Sequence, residues 1–207
     1  MNAGRFPSVL FARSWRSICF TRIRVTPAPR DSIDSPNRPL QSYLFGRRQR
    51  ICTEDSKSSW CNLTAGVPQG GVLSPLLFAI FINSITNHLR SSYHLYADDL
   101  QIYTQASLGN INNAISTINC DIDHISNWSK SNGLKINPTK TQIIVVGSPR
   151  MISRVNWSEL PCVSCDGVNI PYSDTVKNLG LYIDRSFTWV PQLRELSRKL
   201  YASARSL

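Results

Sequence analysis

Two adjacent aspartates, Asp98 and Asp99, interrupt an apolar segment and constrain the possible folds more than any other feature of the chain. Apolar residues alternate with other residues on both sides, which predicts two short antiparallel strands with the bend at Asp98-Asp99. A single aspartate at a turn has an ordinary structural explanation. Two neighbouring carboxylates repel each other unless a positive group is bound, so the pair indicates a cation site. The alternating positions are Tyr93, Leu95, Ala97, Leu100, Ile102 and Tyr103.

A glycine-containing loop and a helix are predicted before this hairpin. Val67 to Gly71 is predicted to be a loop, and Ser74-Pro75 then offers an N-cap and a first-turn proline. The helix is expected to run to about Arg90, with most of its apolar face buried. The residues of that face are Leu76, Leu77, Ile80, Phe81 and Ile85.

A second helix follows the hairpin. Its apolar residues recur at helical spacing, and Asn132-Gly133 provides a C-terminal stop. We expect this stripe to be core without a cofactor role. It consists of Ile111, Ile115, Ile118, Ile122, Ile125 and Trp128.

The other elements are predicted from weaker patterns. Residues 41–63 suggest a short helix and then a hairpin. Strands are expected at Leu134–Asn137, Ile143–Val146 and within Val176–Ile183. Residues 191–207 suggest a helical tail.

Charge is concentrated at the N-terminus. The 207-residue chain has a net charge of +10, and residues 1–50 contain ten arginines but only two acids. We expect residues 1–37 to be an irregular basic leader that either contacts a polyanion or has no selected role. A mitochondrial transit peptide is a further alternative. No stretch is apolar for long enough to span a bilayer, so no membrane partner is expected.

Four blocks in order resemble the reverse transcriptases of non-LTR retrotransposons, the jockey-like or LINE-type group. These blocks are Gly66 to Phe78, Tyr96 to Asp99, Gly133 to Thr141 and Lys177 to Asp184. The resemblance covers roughly residues 40–190. It implies an α+β fold, namely a partial polymerase palm in which a small antiparallel sheet carries the catalytic hairpin and is backed by two helices. Residues 38–190 would form this domain, and residues 191–207 would begin a truncated thumb or connection.

The same resemblance implies RNA-directed DNA synthesis. The partners would be an RNA template, a DNA primer and a deoxynucleoside triphosphate. The sequence leaves the compartment open within the cell, and the resemblance alone suggests the nucleus. Asp98 and Asp99 would bind two Mg²⁺ ions, for which oxygen ligands are suitable. Lys140 would lie near the triphosphate, unless it is simply a solvated lysine. Contacts to the template and nucleotide would come from Gly66, Pro68, Gln69, Gly70, Tyr96 and Ala97, although Gln69 has a loop-capping alternative.

The chain departs from the family at one important position. The family has a further catalytic aspartate at the end of an apolar strand upstream of the glycine-containing loop, and no residue before Gly66 fits it. We therefore expect a sheet without its central strand and a chain that is inactive alone, unless a partner chain donates the aspartate. The alternatives are an inert remnant and a non-catalytic fragment that binds nucleic acid through Arg47, Arg48 and Arg50.

Overall fold

The computed structural model describes residues 8–13, 38–63, 66–68 and 70–205. These residues fall into two compact units, the first within residues 1–17, 86–127 and 136–207 and the second within residues 18–85 and 128–135. Helices and small antiparallel sheets are both present, which confirms the mixed fold class at this level. None of the helices in the described parts of the chain is long and apolar enough to cross a membrane.

The first unit is built on a four-stranded antiparallel sheet with the strand order β4-β5-β1-β6. These strands are β1 (Ser8–Arg13), β4 (Ser92–Tyr96), β5 (Asp99–Gln105) and β6 (Thr141–Val146). Leu100 and Ile102 of β5 and Ile143 to Val145 of β6 are fully buried. Both β5 and β6 therefore contribute to the core, and the predicted hairpin and the strand at Ile143–Val146 are confirmed.

The position of β1 corrects two predictions. The leader is predicted to be irregular throughout and the sheet to lack a central strand, but Ser8–Arg13 pairs with both β5 and β6. The strand is difficult to predict because its four apolar residues lie among arginines and its partners are far away in the sequence. The rest of the leader lies outside the described residues.

The long helix α3 (Ile111–Ser131) confirms the isoleucine stripe. All five isoleucines are buried, and Gly133 adopts a φ of 70° just after the helix. The next prediction is wrong, because Leu134–Asn137 forms no strand. Leu134 and Ile136 are nevertheless buried, so their alternation reflects an irregular segment packed into the core.

Two hairpins and two helices complete the first unit. The hairpins are β7 (Val163–Cys165) with β8 (Val168–Ile170) and β9 (Thr175–Asn178) with β10 (Leu181–Asp184). Positive φ angles at Asp166-Gly167 and Leu179-Gly180 give each a tight type I′ turn. The helices are the short α4 (Pro149–Ile152) and α5 (Val190–Ala204), the second of which confirms the helical tail.

The second unit contains α1 (Arg38–Leu44), a ribbon of β2 (Arg48–Gln49) and β3 (Cys61–Asn62), and α2 (Ser74–Asn83). The predicted short helix and hairpin are thus confirmed. The helix α2 ends earlier than predicted, because a 3₁₀ turn at Ser84–Thr86 follows it. Its expected apolar face is buried only in part, because Ile85 is buried and Leu77 and Phe81 are half-buried but Leu76 and Ile80 are 58% and 65% exposed, so the prediction that most of the face is buried is wrong.

Candidate functional site

The acidic hairpin of the first unit turns at Ala97 and Asp98. Asp99 is the first residue of β5 and pairs with Tyr96, so the bend lies one residue earlier than predicted. Ala97 has a φ of 51°, a conformation that residues with a Cβ rarely adopt. Strained residues of this kind are concentrated at functional sites. The turn thus presents a half-buried Asp98 beside an exposed Tyr96.

Asp99 has an unsatisfied carboxylate oxygen. Its Oδ1 atom is buried and has no hydrogen-bond partner among the described residues. The next residue, Leu100, is fully buried, so the strand enters the core directly after Asp99. An unpaired buried carboxylate oxygen is costly, which favours a site that a cation completes.

The register of the sheet places Lys140 at the same edge as this turn. Arg13 of β1 pairs with Leu100 of β5 on one side and with Thr141 of β6 on the other. Asp99 and Lys140 immediately precede these two partners. Because β1 separates β5 from β6, the two backbones are about 10 Å apart, which is twice the usual strand spacing. We call this row the acidic edge, defined by Asp98, Asp99, position 13 and Lys140.

A short 3₁₀ turn, Pro138–Lys140, presents Lys140 at the acidic edge. The side chain of Asn137 fixes the turn, since its Oδ1 atom accepts hydrogen bonds from the Thr139 amide at 3.1 Å and from the Thr139 hydroxyl at 2.7 Å. The Lys140 side chain is exposed. It is therefore accessible to an anionic ligand.

The carboxylates of the acidic edge fit an open cation site. Among the described residues, no group of three or more His, Cys, Asp or Glu side chains is arranged to hold a metal ion. Asp98 and Asp99 are adjacent, and the unsatisfied oxygen of Asp99 is suited to a hard divalent cation. Two carboxylates alone leave such a site short of protein ligands.

The glycine-containing loop lies in the second unit. Gly66 is buried and Pro68 is half-buried, whereas Gly70 is exposed with a φ of 80° and open space where a Cβ would lie. Gln69 lies outside the described residues. The structure thus groups Tyr96, Ala97, Asp98, Asp99 and Lys140 in one unit and Gly66, Pro68 and Gly70 in the other.

This loop is held by a hydrogen-bond network that the sequence did not predict. The Ser74 hydroxyl donates to the Pro68 carbonyl oxygen and lies 2.9 Å from the Tyr43 hydroxyl. Ser74 is the first residue of α2 and makes no cap, so its predicted N-cap role is wrong. A Cβ at Gly71 would collide with the Tyr43 hydroxyl. The glycine pair was a signal for this constraint, but nothing in the sequence pointed to Tyr43.

The three arginines of the hairpin have different environments. Arg47 Nε donates to the Leu44 carbonyl oxygen at 3.1 Å, and the Arg47 guanidinium also donates to the Gly66 carbonyl oxygen. Arg47 therefore fastens the ribbon to the loop. Arg48 and Arg50 are exposed and lie 5.5 and 4.5 Å from the ring centre of Trp60.

A cavity of about 600 Å³ lies elsewhere in the first unit. Thr104 and Gln105, at the opposite end of β5 from Asp99, contribute to its lining together with Asn110 and Asn113 of the α3 region. Its lining residues carry no charge. The cavity therefore has neither the location nor the chemistry of the acidic edge.

Comparison with known proteins identifies the family. The family model for reverse transcriptase (RNA-dependent DNA polymerase) matches residues 17–183. The chain is 27% identical over 95% of its length to the probable RNA-directed DNA polymerase from transposon BS of Drosophila melanogaster, of which it covers 21%. It is also 27% identical over 72% of its length to the RNA-directed DNA polymerase from mobile element jockey of the same species, of which it covers 16%.

A third relative, the probable RNA-directed DNA polymerase from transposon X-element of Drosophila melanogaster, is 26% identical over 93% of the chain. The chain covers 20% of that relative, so it spans about a fifth of the length of the proteins it matches. The family match covers both the acidic turn and the glycine-containing loop. The chain therefore belongs to the reverse transcriptase (RNA-dependent DNA polymerase) family and, within it, to the jockey-like non-LTR retrotransposon group.

Proposed function

We propose that this chain is a palm segment of a non-LTR retrotransposon polymerase, and that Asp98 and Asp99 are its catalytic carboxylates. The reaction would be RNA-directed DNA synthesis from an RNA template, a DNA primer and deoxynucleoside triphosphates. The observation that carries the proposal is the buried, unpartnered Oδ1 of Asp99 next to a strained turn. Such an oxygen is costly in the isolated protein and favourable beside a bound cation.

Asp98, Asp99 and Lys140 of the acidic edge, and the two residues that shape its turn, have separate roles in this proposal. Asp98 and Asp99 would hold Mg²⁺, which when bound supplies the positive charge that activates the primer hydroxyl and neutralises the triphosphate. Lys140 reaches the same edge of the sheet and would balance charge on the departing pyrophosphate or give it a proton. Tyr96 and Ala97 shape the turn that presents the two carboxylates.

The loop of the second unit would contribute to substrate binding. The exposed Gly70 leaves space for close approach of a nucleotide or template to the backbone. Gly66 and Pro68 are held by Arg47 and Ser74, so their carbonyl groups are already oriented by the protein. A preformed loop of this kind lowers the entropy cost of binding.

We further propose that the chain alone lacks polymerase activity. A strand, β1, does occupy the middle of the sheet, but its last residue, Arg13, pairs with Leu100 and Thr141 and so lies next to Asp99 and Lys140. A cationic residue there supplies no ligand for a metal ion. Losing one carboxylate of a two-metal site costs several kcal/mol of transition-state stabilisation, which corresponds to roughly a thousandfold or more in rate.

The acidic edge favours this proposal over a purely non-catalytic nucleic-acid-binding role. Nucleic acid is a polyanion, and a surface selected only for binding it gains nothing from two adjacent carboxylates. The strained Ala97 and the unsatisfied oxygen of Asp99 are likewise unexplained by binding alone. Both features are expected where a cation is held.

The test combines ion binding with primer extension. The purified chain is titrated with Mg²⁺ by calorimetry and then incubated with an RNA template, an annealed DNA primer, nucleotides and Mg²⁺. We expect weak Mg²⁺ binding that is lost in Asp98→Asn and Asp99→Asn but retained in Asp123→Asn, which changes an exposed aspartate on α3. We expect no extension by the chain alone.

Two results would change this interpretation. Unchanged Mg²⁺ binding in the Asp98→Asn/Asp99→Asn double variant would refute the metal assignment. Primer extension by the unmodified chain that disappears in Asp98→Asn would support the catalytic role and refute the inactivity of the isolated chain.

A further inference from the structure

The ribbon of the second unit carries an exposed cluster of one indole and two guanidinium groups. Trp60 is 54% exposed, and the guanidinium carbons of Arg48 and Arg50 lie within 5.5 Å of its ring centre. We call this set the Arg48–Trp60–Arg50 cluster. The sequence pattern indicates the two arginines as nucleic-acid contacts but gives no sign of a role for Trp60.

Strand geometry explains why the three side chains meet. Gln49 pairs with Cys61, so Arg50 and Trp60 are the next residues towards the tip of the ribbon. Arg48 and Arg50 are two residues apart on an extended strand and therefore share one face. The cluster is thus a consequence of the ribbon register, and its side chains are presented together on one surface.

The two cations of the cluster have no acidic partner in the described part of the chain. Among the described residues, neither Arg48 nor Arg50 forms a salt bridge with a carboxylate, whereas Arg47 is hydrogen bonded to the carbonyl oxygens of Leu44 and Gly66. Two guanidinium groups beside one ring repel each other, and the cation–π attraction offsets only part of that repulsion. An anion that binds both of them would remove the remaining repulsion.

A large exposed indole adds a second requirement for the ligand. Trp60 offers a flat apolar surface that is about half exposed beside two guanidinium groups, which suits a planar aromatic group. A ligand that alternates planar groups with phosphates at close spacing satisfies both parts of the cluster. Single-stranded nucleic acid has this chemistry, because its bases stack on aromatic side chains and its backbone is anionic.

We infer that the Arg48–Trp60–Arg50 cluster binds single-stranded nucleic acid, with one base stacked on Trp60 and the neighbouring phosphates bound by Arg48 and Arg50. The inference rests on the proposed function, for which it provides a contact to the unpaired strand. Arg47 links this ribbon to Gly66, so a strand bound at the cluster is tethered near the glycine-containing loop.

The test is fluorescence anisotropy with two labelled 12-nucleotide probes of equal charge, oligouridylate and an abasic oligomer. Titrations of the full chain are run without Mg²⁺ at several KCl concentrations. We expect Trp60→Ala to weaken oligouridylate binding roughly tenfold, because one stacking contact is lost. Binding of the abasic probe is expected to be unchanged. Trp60→Phe should restore most of the oligouridylate affinity.

The arginines are tested through the salt dependence. We expect Arg48→Gln/Arg50→Gln to weaken binding of both probes and to reduce the slope of log affinity against log salt by about 1.4, since two phosphate contacts are lost. The matched controls are Tyr201→Ala and Arg194→Gln, which change exposed residues of α5. Both should bind like the unmodified chain.

Several outcomes would overturn the inference. If Trp60→Ala has no effect on binding, or weakens binding of both probes equally, the ring does not stack a base. A polyglutamate peptide that competes with oligouridylate in a Trp60-dependent manner would instead assign the cluster to an acidic protein. Asp98→Asn is expected to retain oligouridylate binding, so failure of the catalytic proposal is distinguishable from failure of this one.

Discussion

Individual side chains fix the loop that precedes α2. Tyr43, Ser74 and the Pro68 carbonyl oxygen form a connected set of hydrogen bonds, and Gly71 lies against it without room for a side chain. The requirement at Gly71 is steric, whereas Gly70 is needed for its positive φ. The two neighbouring glycines are thus required for different physical reasons.

Replacing Gly71 with alanine tests this steric requirement. The new Cβ would displace the Tyr43 hydroxyl from Ser74, so we expect Gly71→Ala to lower the free energy of unfolding by about 1–3 kcal/mol. Urea unfolding followed by circular dichroism measures this change. Gly109→Ala is the matched control, because a Cβ at Gly109 meets open space.

A second variant identifies the cause of that loss. Tyr43→Phe removes the hydroxyl that the Cβ would meet, so Gly71→Ala should cost less in a Tyr43→Phe background. An equal loss in both backgrounds would show that the collision with Tyr43 is not responsible.

Asp121 is a buried carboxylate that positions the start of β4. It is fully buried, and it accepts hydrogen bonds from the Arg90 amide at 3.0 Å and the Ser91 amide at 2.8 Å. We expect Asp121→Ala to lower the free energy of unfolding by about 2–4 kcal/mol, because two amides lose a charged acceptor. Denaturant titration measures this loss.

The neighbouring Asp123 provides the comparison for Asp121. It is exposed on the same helix, so Asp123→Ala is expected to change stability by less than about 0.5 kcal/mol. Similar losses in the two variants would mean that helix propensity, and not the two amide hydrogen bonds, explains the effect.

At the scale of elements, the predictions succeed where the signal is local. The isoleucines of α3 repeat at helical spacing and are all buried, and the alternation around Asp98 produces β4 and β5. The same rule failed for α2, because Leu76 and Ile80 are apolar and yet exposed. Hydrophobicity predicted the helix there, but it did not reveal which face is covered.

Hydrogen bonding to one carboxylate also went unpredicted. Asp184, at the end of β10, accepts backbone hydrogen bonds from Ser186, Thr188 and Trp189 and so fixes the turn that leads into α5. Desolvation would raise the pKa of Asp184, but the hydrogen bonds from Thr188, Trp189 and Ser186 outweigh it and hold the pKa below 3.8. Sequence alone predicted the helix but gave no sign of this turn.

The lowered pKa of Asp184 gives stability a defined pH dependence. Its contribution is fully present above the unfolded pKa near 3.8 and is lost as pH falls through the lower folded value. We therefore expect Asp184→Asn to lower the Tm at pH 7 and to have a smaller effect at pH 2.5. Calorimetry at the two pH values measures both differences.

Comparing Asp184→Asn with the unmodified chain removes the effect of a second acidic group. The hydrogen bond from Arg198 lowers the pKa of Glu195 to about 2, so Glu195 of α5 also titrates in acid. Its contribution is common to both proteins and cancels in the difference. A Tm difference that does not shrink in acid would show that the Asp184 charge is not what stabilises the turn.

At the scale of the whole molecule, the acidic edge combines three distant parts of the chain. Because β1 lies between β5 and β6, it brings position 13 close to the residues that precede Leu100 and Thr141. The sequence predicted Asp98, Asp99 and Lys140 individually as site residues. It did not predict β1, since long-range strand pairing leaves no local pattern.

Changing Arg13 to aspartate tests the incompleteness of the acidic edge. Arg13 lies one position from the row of Asp99 and Lys140, and aspartate replaces its positive charge with a negative one, so we expect Arg13→Asp to tighten Mg²⁺ binding by roughly tenfold. Calorimetric titration provides the measurement. Arg13→Asn removes the positive charge without adding a negative one and should give a smaller gain. Equal affinities in the two variants would mean that position 13 does not take part in cation binding.

The place of β1 in the sheet also determines when the protein can fold during translation. Ser8 pairs with Val146, so β1 cannot have both neighbours until the ribosome has synthesised the chain as far as β6. Until then, the apolar residues of β1 are available to chaperones and to other nascent chains. A high contact order of this kind makes slow folding and early aggregation intrinsic hazards of the topology.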